Sequence, residues 1–322
     1  VPPPAELLAL LQTRASFVLV THVAPDGDAL GSALGLALAL QGQGRSATVV
    51  CPSPPGDLYQ WLPGAAAVTT SLPPGEAAVV LLDCDALSRT DTLAPALADR
   101  PLTVLDHHTG APFGDLIYKD TAAAATCVLV YRLLQALSWP LTPDLATCLF
   151  TGLATDTGFF RYENTNPEAL AVASELVAAG ALPHLISERV NEARPLGRTQ
   201  LTGRALASLQ TGADDRVIWG LLRPVDYRET RTAASDTEGI IDIVKQVAGQ
   251  QACVLLKAPE DEQHWQVSLR SPVVDVAEVA RHYGGGGHAR ASGFEYEGEL
   301  EPLRADLLAR LAAALPPRGG TP

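Results

Sequence analysis

The segment VTHVAPDGDALGS sets His22, Asp26 and Asp28 in a short polar gap between two apolar stretches. Two further apolar runs end in acid or imidazole, one in Asp83-Cys84-Asp85 and the other in Asp106-His107-His108, and Asp156 lies in TDTGFFR near the end of a helical stretch. Taken singly, a carboxylate after a strand is a turn or capping residue, and Asp28 reads that way for a helix starting near Ala29. Taken together, so many carboxylates in one cleft repel one another unless cations lie between them. Imidazole and carboxylate without thiolate suit manganese, iron, zinc or cobalt better than calcium, and the carboxylate excess favours manganese or magnesium. Two such ions, roughly 3.5–4 Å apart and sharing one carboxylate, are an arrangement used to hydrolyse phosphate esters.

The elements that must position these groups are legible as short β-branched runs: SFVLV (Ser16–Val20), ATVVC (Ala47–Cys51), AAVVLLD (Ala77–Asp83) and LTVLD (Leu102–Asp106). Helical stretches separate them, which predicts a mostly parallel sheet covered on both faces, with the acid-bearing strand ends where ligands bind in such sheets. From Ala122 to Gly180 the pattern is helical, and Asn166-Pro167-Glu168 reads as a helix cap followed by proline at the first position. An arginine-bearing connector follows. RVIWGLLR, ACVLLKA and HWQVSLRS then alternate with helical segments as a smaller α/β unit. The expected organisation is an α/β N-terminal domain with a mostly parallel sheet over residues 1–188, a connector over 189–208, and a smaller α/β domain over 209–322, with a cleft between the two domains.

At 322 residues and 47% hydrophobic content the chain can bury two cores. Its net charge of −13 excludes a protein that coats long duplex nucleic acid, but not one that binds a short phosphorylated ligand in a single cleft. The 5 cysteines are scattered and lack CxxC spacing, so neither a disulfide framework nor a thiolate zinc site is expected. There is no basic leader and no apolar run of membrane-spanning length, so the expectation is a cytoplasmic protein without a membrane partner, with homodimerisation left open. In YGGGGHARASGF, Gly285, Gly286 and Gly287 would let backbone N–H groups approach an anion, and His288 and Arg290 add donors beside them; read alone, the segment is more readily a flexible turn.

Five stretches in order, HVAPDGDALGS, DCD, LDHHTG, TGLATDTGFFRYENT and GGGGHARASGF, resemble the motifs of the DHH phosphoesterases over nearly the whole chain. The resemblance implies that His22, Asp26 and Asp83 hold one divalent cation and that Asp28, Asp83, His107 and Asp156 hold the other, with Asp83 bridging. Manganese is the first expectation, with magnesium or cobalt as alternatives. Asp106 would orient His108, and His108 would face the scissile phosphate. Gly285, Gly286, Gly287 and His288, with Arg270 and Ser271, would grip substrate from the smaller domain. Arg161 and Thr165 follow the fourth motif and are candidates to face the cleft, a surface salt bridge being an equal reading for Arg161, and Arg89 is a weaker candidate. No family role is assigned to Asp85, which reads as a turn residue, and His264 and His282 read as structural or exposed.

The branch resembled is the two-domain, stand-alone one that degrades very short RNAs and dephosphorylates 3′-phosphoadenosine 5′-phosphate (pAp), some members cleaving cyclic or linear dinucleotides. The rivals are an inorganic pyrophosphatase, which shares the first domain but lacks the glycine signature, a processive exonuclease, whose chains are longer, and a nucleotide sensor that has lost ligands. The expected partner is short RNA or a small nucleotide.

Overall fold

A computed structural model describes residues 1–192 and 194–317. Two compact units are present, Val1–Ala193 and Arg194–Pro322. Among the described residues no single helix is long and apolar enough to cross a membrane.

The first unit contains strands β1 (Ser16–Val20), β2 (Ser46–Val50), β3 (Ala78–Leu82), β4 (Leu102–Asp106) and β5 (Leu116–Lys119), and helices α1 (Ala5–Thr13), α2 (Gly27–Gly42), α3 (Ala94–Leu97), α4 (Thr126–Leu137), α5 (Pro143–Asp156), α6 (Pro167–Ala178) and α7 (Pro183–Ser187). The strands form one sheet in the order β2-β1-β3-β4-β5, parallel throughout. One face packs on α2, α4 and α5 through a large apolar cluster that includes Leu19, Leu30, Val80, Leu129 and Leu149. The other face is covered more thinly, Val18, Val79, Leu81 and Val104 packing with Leu93 and Leu97. Burial on both sides explains why these strands read as continuous apolar runs rather than alternating ones. Chain order reverses at β1, whose neighbours are β2 and β3, and a ligand crevice opens beyond the carboxyl ends at such a reversal. His22 follows β1 and Asp83 follows β3, on adjacent strands at that point.

Three glycines let α2, α5 and the start of α4 approach closely. A methyl group on Gly31 would overlap the carbonyl oxygen of Cys148, and one on Gly152 would overlap the Cys127 sulfur and lie 3.0 Å from Asp28 Oδ1. Gly35 meets Leu149 in the same way. Gly31→Ala is therefore expected to destabilise the fold by about 1–3 kcal/mol through overpacking against backbone. A lowered urea midpoint checks this, and an unchanged midpoint would show that the two helices can slide apart freely.

The second unit contains β6 (Gln210–Gly212), β7 (Val217–Leu222), β8 (Ala252–Lys257), β9 (His264–Arg270), β10 (Gly286–His288) and β11 (Ala291–Glu297), with α8 (Leu196–Ala207), α9 (Pro224–Thr230), α10 (Ile240–Val244), α11 (Val276–His282) and α12 (Leu300–Ala314). Its sheet runs β10-β11-β9-β8-β7-β6, antiparallel except for the parallel pair β7–β8. One face buries Val254, Trp265, Val267 and Leu269 with Leu303 and Leu307 of α12. The other buries Ile218, Cys253 and Leu255 with Leu201 and Ala205 of α8 and Ile240 and Val244 of α10. The segment expected as a connector thus supplies α8, a packed element of the second unit.

Candidate active site

The chain leaves β1 at Val20 and brings His22 under cover, 4% exposed. Its Nδ1 lies 2.8 Å from the Val23 carbonyl oxygen, which can only accept, so this nitrogen carries the proton. The Nε2 lone pair then faces Asp83 Oδ2 at 3.6 Å and Asp26 Oδ1 at 3.9 Å. Asp26, and not Asp28, is the N-cap of α2, its Oδ1 accepting the N–H groups of Asp28 and Ala29 at 3.0 Å each. Asp28 lies in the first turn, buried, where Oδ2 accepts the Thr126 N–H at 2.6 Å and Oδ1 the Cys127 N–H at 2.9 Å. Those are orphan donors at the start of α4, whose partial positive charge suits a carboxylate.

Asp83 has a left-handed backbone, φ 59°, a region that aspartate enters more readily than most residues. Its two oxygens serve different sides. Oδ2 faces His22, whereas Oδ1 accepts the Thr126 hydroxyl at 2.9 Å and lies 3.6 Å from His107 Nε2. His107 repeats the logic of His22. Its Nδ1 is 3.3 Å from the Ala123 carbonyl oxygen, and its Nε2 is buried without a hydrogen-bond partner, 3.5 Å from Asp156 Oδ2 and 3.8 Å from Asp28 Oδ2.

Asp106 is fully buried. Its Oδ1 accepts His108 Nδ1–H at 2.8 Å and the His108 backbone N–H at 3.2 Å, while Oδ2 accepts Lys119 Nζ at 2.7 Å. Burial opposes the Asp106 charge, but these bonds outweigh it and lower its pKa to about 2. The same bond from Asp106 does most to raise His108 to about 9, against burial and with help from Asp83. His108 is 43% exposed, which leaves its Nε2 available to a ligand.

The acids answer one another. Burial, then Asp83 and Asp156, push the pKa of Asp28 well up; burial, then Asp83 and Asp26, push Asp156 up to about 7. Burial also works against Asp83, yet the His22 contact and the charges of His108 and His107 hold its pKa down. Protons alone therefore leave the cluster only partly ionised, and each Nε2 of His22 and His107 must either take up a proton of its own or set its lone pair against carboxylate oxygens. A divalent cation removes both defects, so the donor set fits metal. Two groups, His22-Asp26-Asp83 and Asp28-His107-Asp156, each place one donor atom per residue within 4.8 Å of the others. Asp83, His107 and His108 also satisfy that spacing, but the bond to Asp106 occupies the contributing nitrogen of His108.

The sequence reading did not single out Thr126, Lys119 or Asn164. Asn164 donates from Nδ2 to the carbonyls of Ala124 and Asp156, at 3.0 and 3.1 Å, tying the segment before α4 to the end of α5. Asp85 forms an ion pair with Arg89 at 4.0 Å, and the Arg89 carbonyl accepts the Val23 N–H at 2.8 Å, bracing the first loop. Arg161 is exposed, with Nε donating to the Gly158 carbonyl at 2.7 Å, and has no carboxylate partner among the described residues. The Thr165 hydroxyl is buried without a hydrogen-bond partner.

In the second unit Ala291 pairs with Arg270 on one side and His288 on the other, so the three form one row across β9, β11 and β10. Directly paired residues project to the same face, which places Arg270 and His288 on one side of the sheet, about 10 Å apart along the row. Arg270 Nε lies 3.2 Å from Asp242 Oδ1, and its Nη1 donates to the Leu269 carbonyl at 3.0 Å. The glycine run is an edge strand rather than a free turn. Side chains at Gly285 and Gly287 would collide with β11, whereas Gly286 is open and His288 is exposed. Ser271 departs from its expected contact with substrate. It is buried, its hydroxyl donates to the Gln251 carbonyl at 2.6 Å and accepts the Val273 and Val274 N–H groups at 3.1 and 2.7 Å, so it fastens a turn and has no capacity left for a ligand. His264 is exposed beside Asp261, and His282 lies edge-on to Tyr283.

Comparison with known proteins places this geometry. Residues 16–153 match the DHH family, N-terminal domain, and residues 223–315 match the DHHA1 domain. The bifunctional oligoribonuclease and PAP phosphatase NrnA of Thermus thermophilus is 34% identical over 90% of this chain and 89% of its own length. The protein of the same name from Bacillus subtilis is 26% identical over 94% of this chain and 96% of its own. The crystal structure of an exopolyphosphatase-related protein from Bacteroides fragilis superposes with a TM-score of 0.88 at 26% identity, covering 96% of each chain. With both domain matches in order along the chain and a relative 34% identical over nearly its whole length, the chain belongs to the DHH family.

Proposed function

We propose that this protein is a metal-dependent phosphoesterase that hydrolyses very short oligoribonucleotides and pAp, with linear or cyclic dinucleotides as further candidates. The observation that carries the reading is Asp83, a buried carboxylate that directs one oxygen to His22 and the other to His107. His22, Asp26 and Asp83 would hold one divalent cation, and Asp28, Asp83, His107 and Asp156 the other, manganese being favoured by the donor types. When bound, the pair supplies charge for the phosphoryl oxygens and activates the attacking water.

The chain's own groups complete the site. Asp106, anchored by Lys119, holds the proton of His108 on Nδ1 and keeps the imidazolium beside the cluster, where it offsets negative charge gathering on the phosphate. Arg270, His288 and the open backbone at Gly286 would grip the remainder of the nucleotide, with Arg161 as a further contact. The water oxygen bonds to phosphorus as the P–O ester bond breaks, and the proton that the water gives up balances the one that the leaving oxygen takes. The DHHA1 domain favours a nucleotide substrate over pyrophosphate, and the retention of every expected ligand side chain favours turnover over sensing.

The test is to strip metal from the purified protein, restore manganese, magnesium or cobalt singly, and follow phosphate release from pAp and mononucleotide release from RNAs of two to five nucleotides. Activity returning only with a divalent cation, and most with manganese, is the expected result. Full activity after verified metal removal, or no product from any substrate with metal restored, would overturn the reading.

A further inference from the structure

One short stretch of backbone ties the second ligand group together. Ala123, Ala124 and Ala125 lie buried ahead of α4, and the segment from Ala123 to Cys127 meets three of the four side chains assigned to that cation. The Ala123 carbonyl oxygen faces His107 Nδ1 at 3.3 Å, the Thr126 and Cys127 N–H groups hold Asp28 at 2.6 and 2.9 Å, and the Thr126 hydroxyl holds Asp83 at 2.9 Å. The fourth side chain, Asp156, comes from α5, and its link to this segment runs through Asn164.

Asn164 Nδ2 donates to the Ala124 carbonyl oxygen at 3.0 Å and to that of Asp156 at 3.1 Å. Asp156 ends α5, so its carbonyl is one of those that a helix leaves without a partner. Bridging two carbonyl oxygens takes one atom with two N–H bonds, which an amide has and a hydroxyl or carboxylate lacks. Asn164 Oδ1 is buried with no hydrogen-bond partner among the described residues, so the amide is held there for its donors, at the expense of its acceptor. The chain also takes an unfavourable path to bring Asn164 back. Gly158, Phe159 and Phe160 follow α5 with left-handed φ values of 55°, 56° and 64°, a region that bulky residues rarely enter. The Phe159 N–H on the Ala154 carbonyl at 2.6 Å, the Phe160 N–H on the Thr157 hydroxyl at 3.2 Å and the edge-on contact of Phe160 with Phe150 hold that turn in place. Neither bond of Asn164 reaches the segments that carry His22 and Asp26.

We propose that Asn164 is a positioning residue for one cation of the pair: by fixing the Asp156 backbone against Ala124 it closes the group formed by Asp28, His107 and Asp156, so that its loss weakens that ion and spares the one held by His22 and Asp26. This rests on the two-cation reading of the site. It adds that the two ions have separate supports, one of which depends on a side chain that is not itself a ligand.

The experiment titrates manganese into metal-free wild type, Asn164→Ala and Asn164→Leu, by calorimetry and by electron paramagnetic resonance, in which two ions sharing a carboxylate couple and a lone ion does not. Asn164→Leu keeps the branched shape, removes both donors and removes the unpaired oxygen as well, so it should melt close to the wild-type temperature. The wild type should take up two ions. Both variants should hold one of them within about two-fold of the wild-type affinity and the other about ten- to a hundred-fold more weakly, and their coupled spectrum should need correspondingly more manganese. Two wild-type affinities in both variants, or both ions weakened alike, would overturn the assignment and leave the two-cation reading intact. Failure of both variants to fold would also overturn it, by making Asn164 a residue of the fold rather than of the site. Fewer than two ions in the wild type would instead overturn the two-cation reading, and this proposal with it.

Discussion

Asp83→Asn is expected to reduce turnover by on the order of a thousand-fold or more while leaving the protein folded. The amide has the same shape and also tolerates the left-handed backbone at φ 59°. Its NH₂ group, however, can donate to only one of the two imidazole Nε2 atoms and closes that ligand position, while the remaining oxygen lacks the charge to be shared. Asp83 stands 3.6 Å from both His22 and His107, the position a shared ligand needs. The His22 contact and the charges of His108 and His107 favour the Asp83 carboxylate in the metal-free protein, so its loss is expected to lower the melting temperature modestly while leaving the protein folded. Steady-state kinetics at saturating manganese, beside thermal melts of the metal-free proteins, check both parts. Near-normal kcat, or a variant that does not fold, would contradict them.

The second large effect is expected for Asp106→Asn. The new amide would have to turn its oxygen to Lys119 or to His108, and either choice sets an NH₂ group against the other partner. Lys119 is only 12% exposed, so breaking its pair strands a charge and should cost about 3 kcal/mol. With the oxygen on Lys119, the NH₂ must donate to His108 Nδ1, which moves the imidazole proton to Nε2. Losing the oriented imidazolium should lower kcat by about a hundred-fold or more. The acid limb of stability offers an independent check. The Asp106 pKa falls from 3.8 to about 2 on folding, so its charge contributes roughly 2 kcal/mol that is fully present above about pH 4 and is lost as pH falls through about 2. Asp106→Asn removes that contribution, so its stability should vary less than that of the wild type between pH 4 and 2. Parallel acid-unfolding curves for the two proteins would contradict the assignment.

The strands that carry the site were legible because burial on both faces writes them as unbroken β-branched runs, and the groups that do chemistry sit where each run stops. His22, Asp83 and Asp106 could be read that way, and Asp156 could be placed at a helix end. Thr126 and Lys119 could not. Their roles come from meeting Asp83, Asp28 and Asp106 across the fold, and neither a threonine opening a helix nor a lysine ending an edge strand announces such a contact. Asp26 and Asp28 both suit the cap of α2, and the start of α4 decides between them by drawing Asp28 inward. Gly286–His288 has no β propensity of its own and becomes a strand only by pairing with Ala291–Glu297. Ser271 shows the reverse error, a residue beside a functional arginine whose hydroxyl is consumed by its own turn.

The central claim is that Asp83 stands between two divalent cations. Crystals of the protein soaked in manganese, with diffraction recorded at an energy where manganese scatters anomalously, test it most directly. The account predicts two anomalous peaks on opposite sides of the Asp83 carboxylate, one against His22 and Asp26 and the other against Asp28, His107 and Asp156. A fully soaked crystal with no peak at Asp83, or with peaks only at other residues, would contradict it.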